Sequence, residues 1–333
     1  MLTWPHGDTP WYAREDVERC YARIISAIQK FEPVMLVCPS ESDCRMELTA
    51  AAAAVKVDVD TDAIRFAEAP CNDTWSRDHG GMAVYGDDGE KYVYDFVFNG
   101  WGLKFASNLD NLITRTILTG GAYAPDVMGV DMSPFVLEGG SIDSDGQGTL
   151  LTTEECLLSD NRNSYLEKEE IEDELCHAFG LKRILWLSHG MIDGDDTDGH
   201  VDIMARFCSP DTIAYSTCED PSSPNYKPLK ELEKQLRSFR TLDGKPYKIV
   251  PLPIPSQQYL EGYPLPASYV NFLIINGAVL IPAAGDPNDK VAAERLSQLF
   301  PGRETILVDC RPLLSGHGGL HCVTMNYPEG WII

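Results

Sequence analysis

Apolar positions along the chain fall into alternating helix-like and strand-like runs. Over residues 13–32, Val17, Cys20, Tyr21, Ile24, Ile25 and Ile28 recur at helical spacing, and Pro33 ends the run. The unbroken apolar stretch VMLVC that follows predicts a buried strand, and the alanine-rich residues 42–55 predict a second helix. The turn Asp87-Asp88-Gly89 joins residues 81–85 to 92–98 as a hairpin. Helical patterns then recur at residues 107–118, 165–179, 227–239 and 288–300. Strand patterns fall between them at 126–130, 135–138, 149–153, 183–187, 200–207, 212–216, 247–252, 269–275, 278–282 and 305–308. Leu320, Cys322 and Thr324 alternate with His321 and Val323, which predicts a closing strand after the loop Gly316-His317-Gly318-Gly319. The rhythm of strands and helices returns roughly every sixty to seventy residues, without a literal sequence repeat. No linker or shift of composition divides it, so the expectation is one α/β domain over residues 1–333.

Composition narrows the function classes. With 333 residues, 44% of them hydrophobic, the chain can bury a large core. Ten cysteines are scattered with no CxxC pair, against zinc ribbons and thioredoxin-type redox motifs. The start, MLTWPHGDTPW, lacks a basic segment and an apolar core, and no apolar run reaches membrane-spanning length. A cytoplasmic protein with reduced thiols, bound to no membrane, is expected. A net charge of −24 argues against nucleic acid and suits a cationic ligand, although solubility alone also accounts for it.

Four stretches are more polar than their strand-like settings need. In CNDTWSRDHGG (Cys71–Gly81), Asp78 can offer a carboxylate to a cation, with Trp75 as an aromatic wall; a plain Asp78–Arg77 ion pair is the alternative. Glu138 ends an apolar strand and is followed at once by Gly139 and Gly140, the mark of a placed carboxylate. Residues 143–154 nearly fit a calcium loop, yet strands flank them, and a hairpin turn is the better reading. In GDDTDGHVD, His200 and Asp202 stand two apart, and on a strand they would share one face. Asn271, inside the apolar PASYVNFLII, needs buried partners. Cys322 with His200 and carboxylates matches nucleophilic catalysis at a trigonal carbon. The remaining aspartates fit a planar guanidinium.

These segments, NDTWSRDHG, EGGSIDSDGQGTLLTTEECLLSDNRN, GDDTDGHVD, PASYVNF, GDPND and GGLHCVT, closely resemble agmatine deiminases of the guanidine-modifying superfamily, in the family's order and over most of the chain. The resemblance implies the pentein fold, a pseudo-fivefold α/β propeller of ββαβ-type modules, with no metal and no organic cofactor. It implies Cys322 as nucleophile, His200 as general acid and base, and Glu138 as the carboxylate supporting that histidine or the substrate. Asp78 and Asp202 resemble the pair that grips the guanidinium, Trp75 a wall of the pocket and Asn271 a substrate-pocket residue. A bound cation and the neighbouring histidine are expected to lower the Cys322 pKa, and His321 is otherwise set aside in favour of His200. The implied reaction turns agmatine into N-carbamoylputrescine and ammonia, with a small cationic guanidinium as the only partner besides a second copy in a homodimer.

The chain departs from the family pattern at three places. Only Met1 and Leu2 precede Thr3, where the family carries a further segment with a Trp-Glu pair. Gly80-Gly81 stands where Gly-Pro is usual, and His317 and Gly319 replace a glycine and an asparagine before the cysteine. These bear on selectivity for the far end of the substrate. The rival readings are a deiminase of free or peptidyl arginine and, from another class, an acidic metal-binding module holding its ion at residues 143–154 or 195–202.

Overall fold

The computed structural model describes residues 1–332. The periodic segments form the helices their patterns predict. Helix Arg14–Ile28 buries Val17, Cys20, Tyr21, Ile24, Ile25 and Ile28, and helix Tyr226–Ser238 buries Leu229, Leu232 and Leu236 on one face. Helix Glu41–Val55 starts where the Ser40 side chain accepts the Asp43 N–H. Helix Lys168–Phe179 opens on a reciprocal cap between Glu167 and Glu170 and ends at Gly180, φ 61°.

The strands form five three-stranded sheets and one two-stranded ribbon. In four of the sheets a hairpin is followed by a helix and a third strand parallel to the middle one. The first sheet differs: Leu2–Thr3, Val34–Cys38 and Ile64–Glu68 are all parallel. Its strands need crossover helices, which Arg14–Ile28 and Glu41–Val55 supply. The ribbon pairs Gln258–Leu260 with Tyr263–Leu265 apart from the other sheets. No helix among the described residues is long and apolar enough to cross a membrane. The architecture is mixed α/β, as expected.

One regularity positions everything that follows. Each stretch between the last strand of one sheet and the first strand of the next contains a buried segment of turns or a single short helix. The stretches holding Thr74–His79, Glu138–Ser141, Thr197–Ile203 and Ser268–Asn271 are four such junctions, and Ser315–Thr324 follows the fifth sheet. First and last segments meet, because Met1 and Met325 exchange both backbone hydrogen bonds, at 2.7 and 2.9 Å.

Several expected strands give way at these junctions. His200 precedes a single turn of 3-10 helix, Val201–Ile203, and the strand begins only at Ala205. His200 and Asp202 therefore share no strand face. Asn271 lies in a turn, its N–H 3.4 Å from Ser268 O, and the strand is the shorter Leu273–Ile275. The closing strand at Cys322 is absent; Thr324 N–H donates to His321 O at 3.0 Å in a turn. Alternation of apolar residues misleads there because both faces of a buried turn are covered, so apolar residues follow from burial rather than pleat. Residues 126–138 form one strand, Val127–Val136, instead of two. The near-calcium segment is the hairpin Ile142–Ser144 with Thr149–Thr153, as read.

Candidate active site

The junctions converge on a cavity of about 270 Å³ lined by Trp75, Asp78, Trp101, His200, Asp202 and Cys322, with Asp73, Asp195, Asp196 and His317 also in its wall. Glycines let the backbone come this close. A Cβ on Gly140 would stand 2.5 Å from His200 Nδ1 and 2.7 Å from Asp78 Oδ1, and one on Gly139 would stand 2.1 Å from Arg77 O. The two glycines after Glu138 thus serve close approach. In the last junction, a Cβ on Gly318 would sit 2.2 Å from the Trp75 ring.

Asp78 is buried and held on both oxygens. Oδ1 accepts the Gly140 N–H at 2.9 Å, and Oδ2 accepts Trp101 Nε1–H at 3.0 Å. The Asp78–Arg77 pair does not form; the Arg77 guanidinium turns to Met325 Sδ and Asn326 Oδ1. Trp75 packs at a tilt of 45° against Trp11 at 5.3 Å and lies edge-on to Trp101 at 6.5 Å, an aromatic wall as expected.

Asp202 Oδ2 gathers three neighbours: His321 Nδ1 at 2.8 Å, Asn271 Nδ2 at 3.1 Å and Cys322 Sγ at 3.7 Å. Asn271 Nδ2 also lies 3.2 Å from Cys322 Sγ, while its Oδ1 accepts the His321 N–H at 2.8 Å. Asn271 therefore acts at the cysteine rather than in the cavity wall. His321, set aside in the sequence, is a direct partner of Asp202. Its ring is almost fully buried.

Glu138 is fully buried, and both its oxygens accept Arg162 Nε–H at 3.0 Å. Arg162 continues to Asp198 Oδ2 at 2.8 Å and Thr197 O at 3.0 Å, tying the Glu138 junction to the His200 junction. Glu138, Cys156 and His200 bring ligand atoms within 4.8 Å of one another, the arrangement of described residues that could hold a metal ion. The arginine on both Glu138 oxygens leaves that carboxylate satisfied. The two metal sites entertained from the sequence do not form as clusters: Asp143 pairs with Arg206 at 3.2 Å, and Asp195 accepts from Thr197 and Gly199.

Electrostatically the cavity is short of positive charge. Burial raises Asp202 to about 7, against the pull of Arg206 and Arg77. Burial and the neighbouring Asp202 push Asp78 well above the usual carboxylate range. Burial, then the charges of Asp202 and Asp78, push the Cys322 thiol up. Burial holds His200 and His321 well below the usual imidazole value, so both rings are neutral. This corrects one expectation: the neighbouring histidine supplies no positive charge to lower the Cys322 pKa. Three buried polar atoms at the cavity, His200 Nδ1, His200 Nε2 and Asp202 Oδ1, have no hydrogen-bond partner among the described residues. Buried groups of this kind are ordinarily satisfied. A ligand rich in N–H donors would supply what the carboxylate lacks.

Every site residue expected from the sequence lies at this centre. Sequence reasoning missed Trp101, Arg162 and the role of His321. Trp101 could have been noticed as a large residue between Gly100 and Gly102; its φ of 56° marks a backbone held for a purpose.

Comparisons with known proteins agree with the geometry. The family description "Porphyromonas-type peptidyl-arginine deiminase" matches residues 1–328. A Porphyromonas gingivalis structure provisionally called an arginine deiminase superimposes with TM-score 0.92 at 46% identity, covering 100% of this chain and 96% of that one. A C. jejuni agmatine deiminase with substrate bound, carrying a C315S change, gives TM-score 0.88 at 37% identity, covering 99% and 93%. A Legionella pneumophila (strain Paris) protein provisionally named agmatine deiminase is 34% identical over 337 residues, 99% of this chain and 92% of that one.

Proposed function

The chain belongs to the Porphyromonas-type peptidyl-arginine deiminase family and is a hydrolase of guanidine C–N bonds; from that premise we propose that its substrate is agmatine, converted to N-carbamoylputrescine and ammonia. The observation that carries this reading is the buried Asp202 Oδ1 without a partner, in a cavity walled by Asp78, His200 and Cys322. A planar guanidinium places paired N–H donors between two carboxylates. Its charge cancels those of Asp78 and Asp202, which after burial are the next causes of the raised Cys322 thiol pKa. Substrate thus lowers the thiol pKa where the neutral His321 cannot.

The reaction proceeds in four steps. His200, a neutral base, takes the thiol proton, and the Cys322 thiolate attacks the guanidinium carbon. The tetrahedral adduct collapses as His200 returns the proton to the departing nitrogen, and the C–N bond breaks to release ammonia. A thiouronium remains on Cys322. His200 then takes a proton from water, the hydroxide adds to carbon, the C–S bond breaks as His200 returns its proton to the departing sulfur, and the ureido product leaves after its hydroxyl proton passes to ammonia or solvent. Glu138 and Arg162 hold the His200 junction in place.

The same five junctions, together with the exchange between Met1 and Met325, support a pseudo-fivefold propeller around the cavity as the arrangement of this single domain. Five aspartates line the cavity wall, and no arginine or lysine is among the lining residues. That favours a substrate ending in an amine over free arginine, whose carboxylate would face this excess of acids.

Ammonia and ureido product, measured with agmatine, arginine and an arginyl peptide side by side, test the reading. Agmatine is expected to give the highest kcat/KM, and Cys322→Ser to abolish turnover. No ureido product from any of the three sinks the reading; appreciable turnover by the serine variant sinks the nucleophile.

A further inference from the structure

Two loops each supply part of the cavity wall, Asp195–Thr197 from the acidic loop Gly194–Asp198 and Ser315–Gly318 from the glycine loop, and one side chain joins them. His317 Nδ1 lies 2.8 Å from Gly194 O. A carbonyl only accepts, so Nδ1 carries the proton. His317 holds this position with φ 63°, a left-handed backbone that favours glycine, and its neighbours Gly316 and Gly318 are glycines packed on Trp11 and Trp75. Gly194, φ 95°, is wedged on its other side, since a Cβ there would stand 2.3 Å from Pro264 O of the two-stranded ribbon.

The clasp acts on Asp196. Of the five aspartates in the cavity wall, Asp78 is bonded to Trp101 and Gly140, and Asp202 to His321 and Asn271. Asp195 is bonded to Thr197 and Gly199, and Asp73 to Thr74. The Asp196 carboxylate alone accepts from no other described residue, while its backbone O is held by Lys104 Nζ. Burial raises its carboxyl to about 6, and the nearby His317 pulls the other way. We propose that His317 is the positioning residue for the substrate's far end: by holding Gly194 it sets the Asp196 carboxylate where the second positive charge of an aminoalkylguanidine is met.

This rests on the agmatine reading, and the experiment separates the two. Steady-state kinetics compare agmatine with butylguanidine, which has the same carbon chain without the amine, for wild type, His317→Gly, His317→Asn and Asp196→Asn. His317→Gly removes the ring and suits the positive φ, so folding is kept. It is expected to raise the agmatine KM about tenfold, with kcat nearly kept and the butylguanidine KM unmoved. Asn tolerates that backbone and can donate to Gly194 O, so it is expected to recover much of the loss. Asp196→Asn is expected to raise the agmatine KM alone. Equal KM changes for both substrates, or none for agmatine, overturn the role of His317 and leave the deiminase reading standing. No ureido product from wild type with either guanidine overturns both.

Discussion

Asp202 is a carboxylate placed where its own charge is unfavourable. Burial raises its pKa to about 7, well above the value near 4 of an unfolded chain. Between those values the folded protein holds a proton that the unfolded chain has released. Its contribution to stability is full below about pH 4 and is lost as pH rises through about 7. Asp202→Asn is therefore expected to match wild type in Tm near pH 4 and to exceed it at pH 8, by about 1–2 °C for each kcal/mol relieved, while turnover disappears. Thermal melts at the two pH values check this. Because the guanidinium needs the ionised carboxylate, kcat/KM is expected to fall as pH drops below about 7. At this scale the sequence was informative. Asp78, Glu138, His200, Asp202 and Asn271 stood out as polar residues in strand-like settings that did not need them, and Cys322 as a thiol after a glycine loop. The Arg162 and His321 partnerships were not legible, because they join residues 24 and 119 positions apart and no local pattern encodes them.

Among the elements, the junctions carry chemistry and the sheets carry position. Arg162 ties two junctions together from a fully buried side chain, through Glu138 on one side and Asp198 and Thr197 on the other. Removing it leaves Glu138 buried and unpaired, a loss of about 3–5 kcal/mol for such a pair. Arg162→Ala is expected to lower Tm markedly and to reduce kcat by releasing the turn that presents His200. A double variant, Arg162→Ala with Glu138→Gln, is expected to regain much of the stability and none of the activity; stability and kcat recovering together would contradict the tie. Helices were legible wherever a long apolar stripe had one wet face, as in Tyr226–Ser238. The junctions at His200, Asn271 and Cys322 read as strands because a fully buried turn is apolar on every side. Their course is set by the close approaches of Gly139, Gly140 and Gly318 to other junctions, which is information held outside each segment.

For the whole molecule, charge and closure matter. A net charge of −24 draws a cation toward an acidic cavity from a distance. Added salt screens this beyond about 10 Å at 0.1 M. The agmatine kcat/KM is expected to fall several-fold between low and high ionic strength through association, with kcat unchanged. An insensitive kcat/KM would assign the charge to solubility alone. The repeating rhythm of the sequence announced repeated units, yet the parallel first sheet was hidden, because two residues, Leu2 and Thr3, make its first strand. The order of the junctions also has a meaning for synthesis. Asp78, Glu138, His200 and Asp202 all precede Cys322 in the chain, so each is synthesised before the thiol that they surround. A chain stalled before Cys322 carries every other junction and lacks the proposed nucleophile, so it is expected to bind a guanidinium without turning it over.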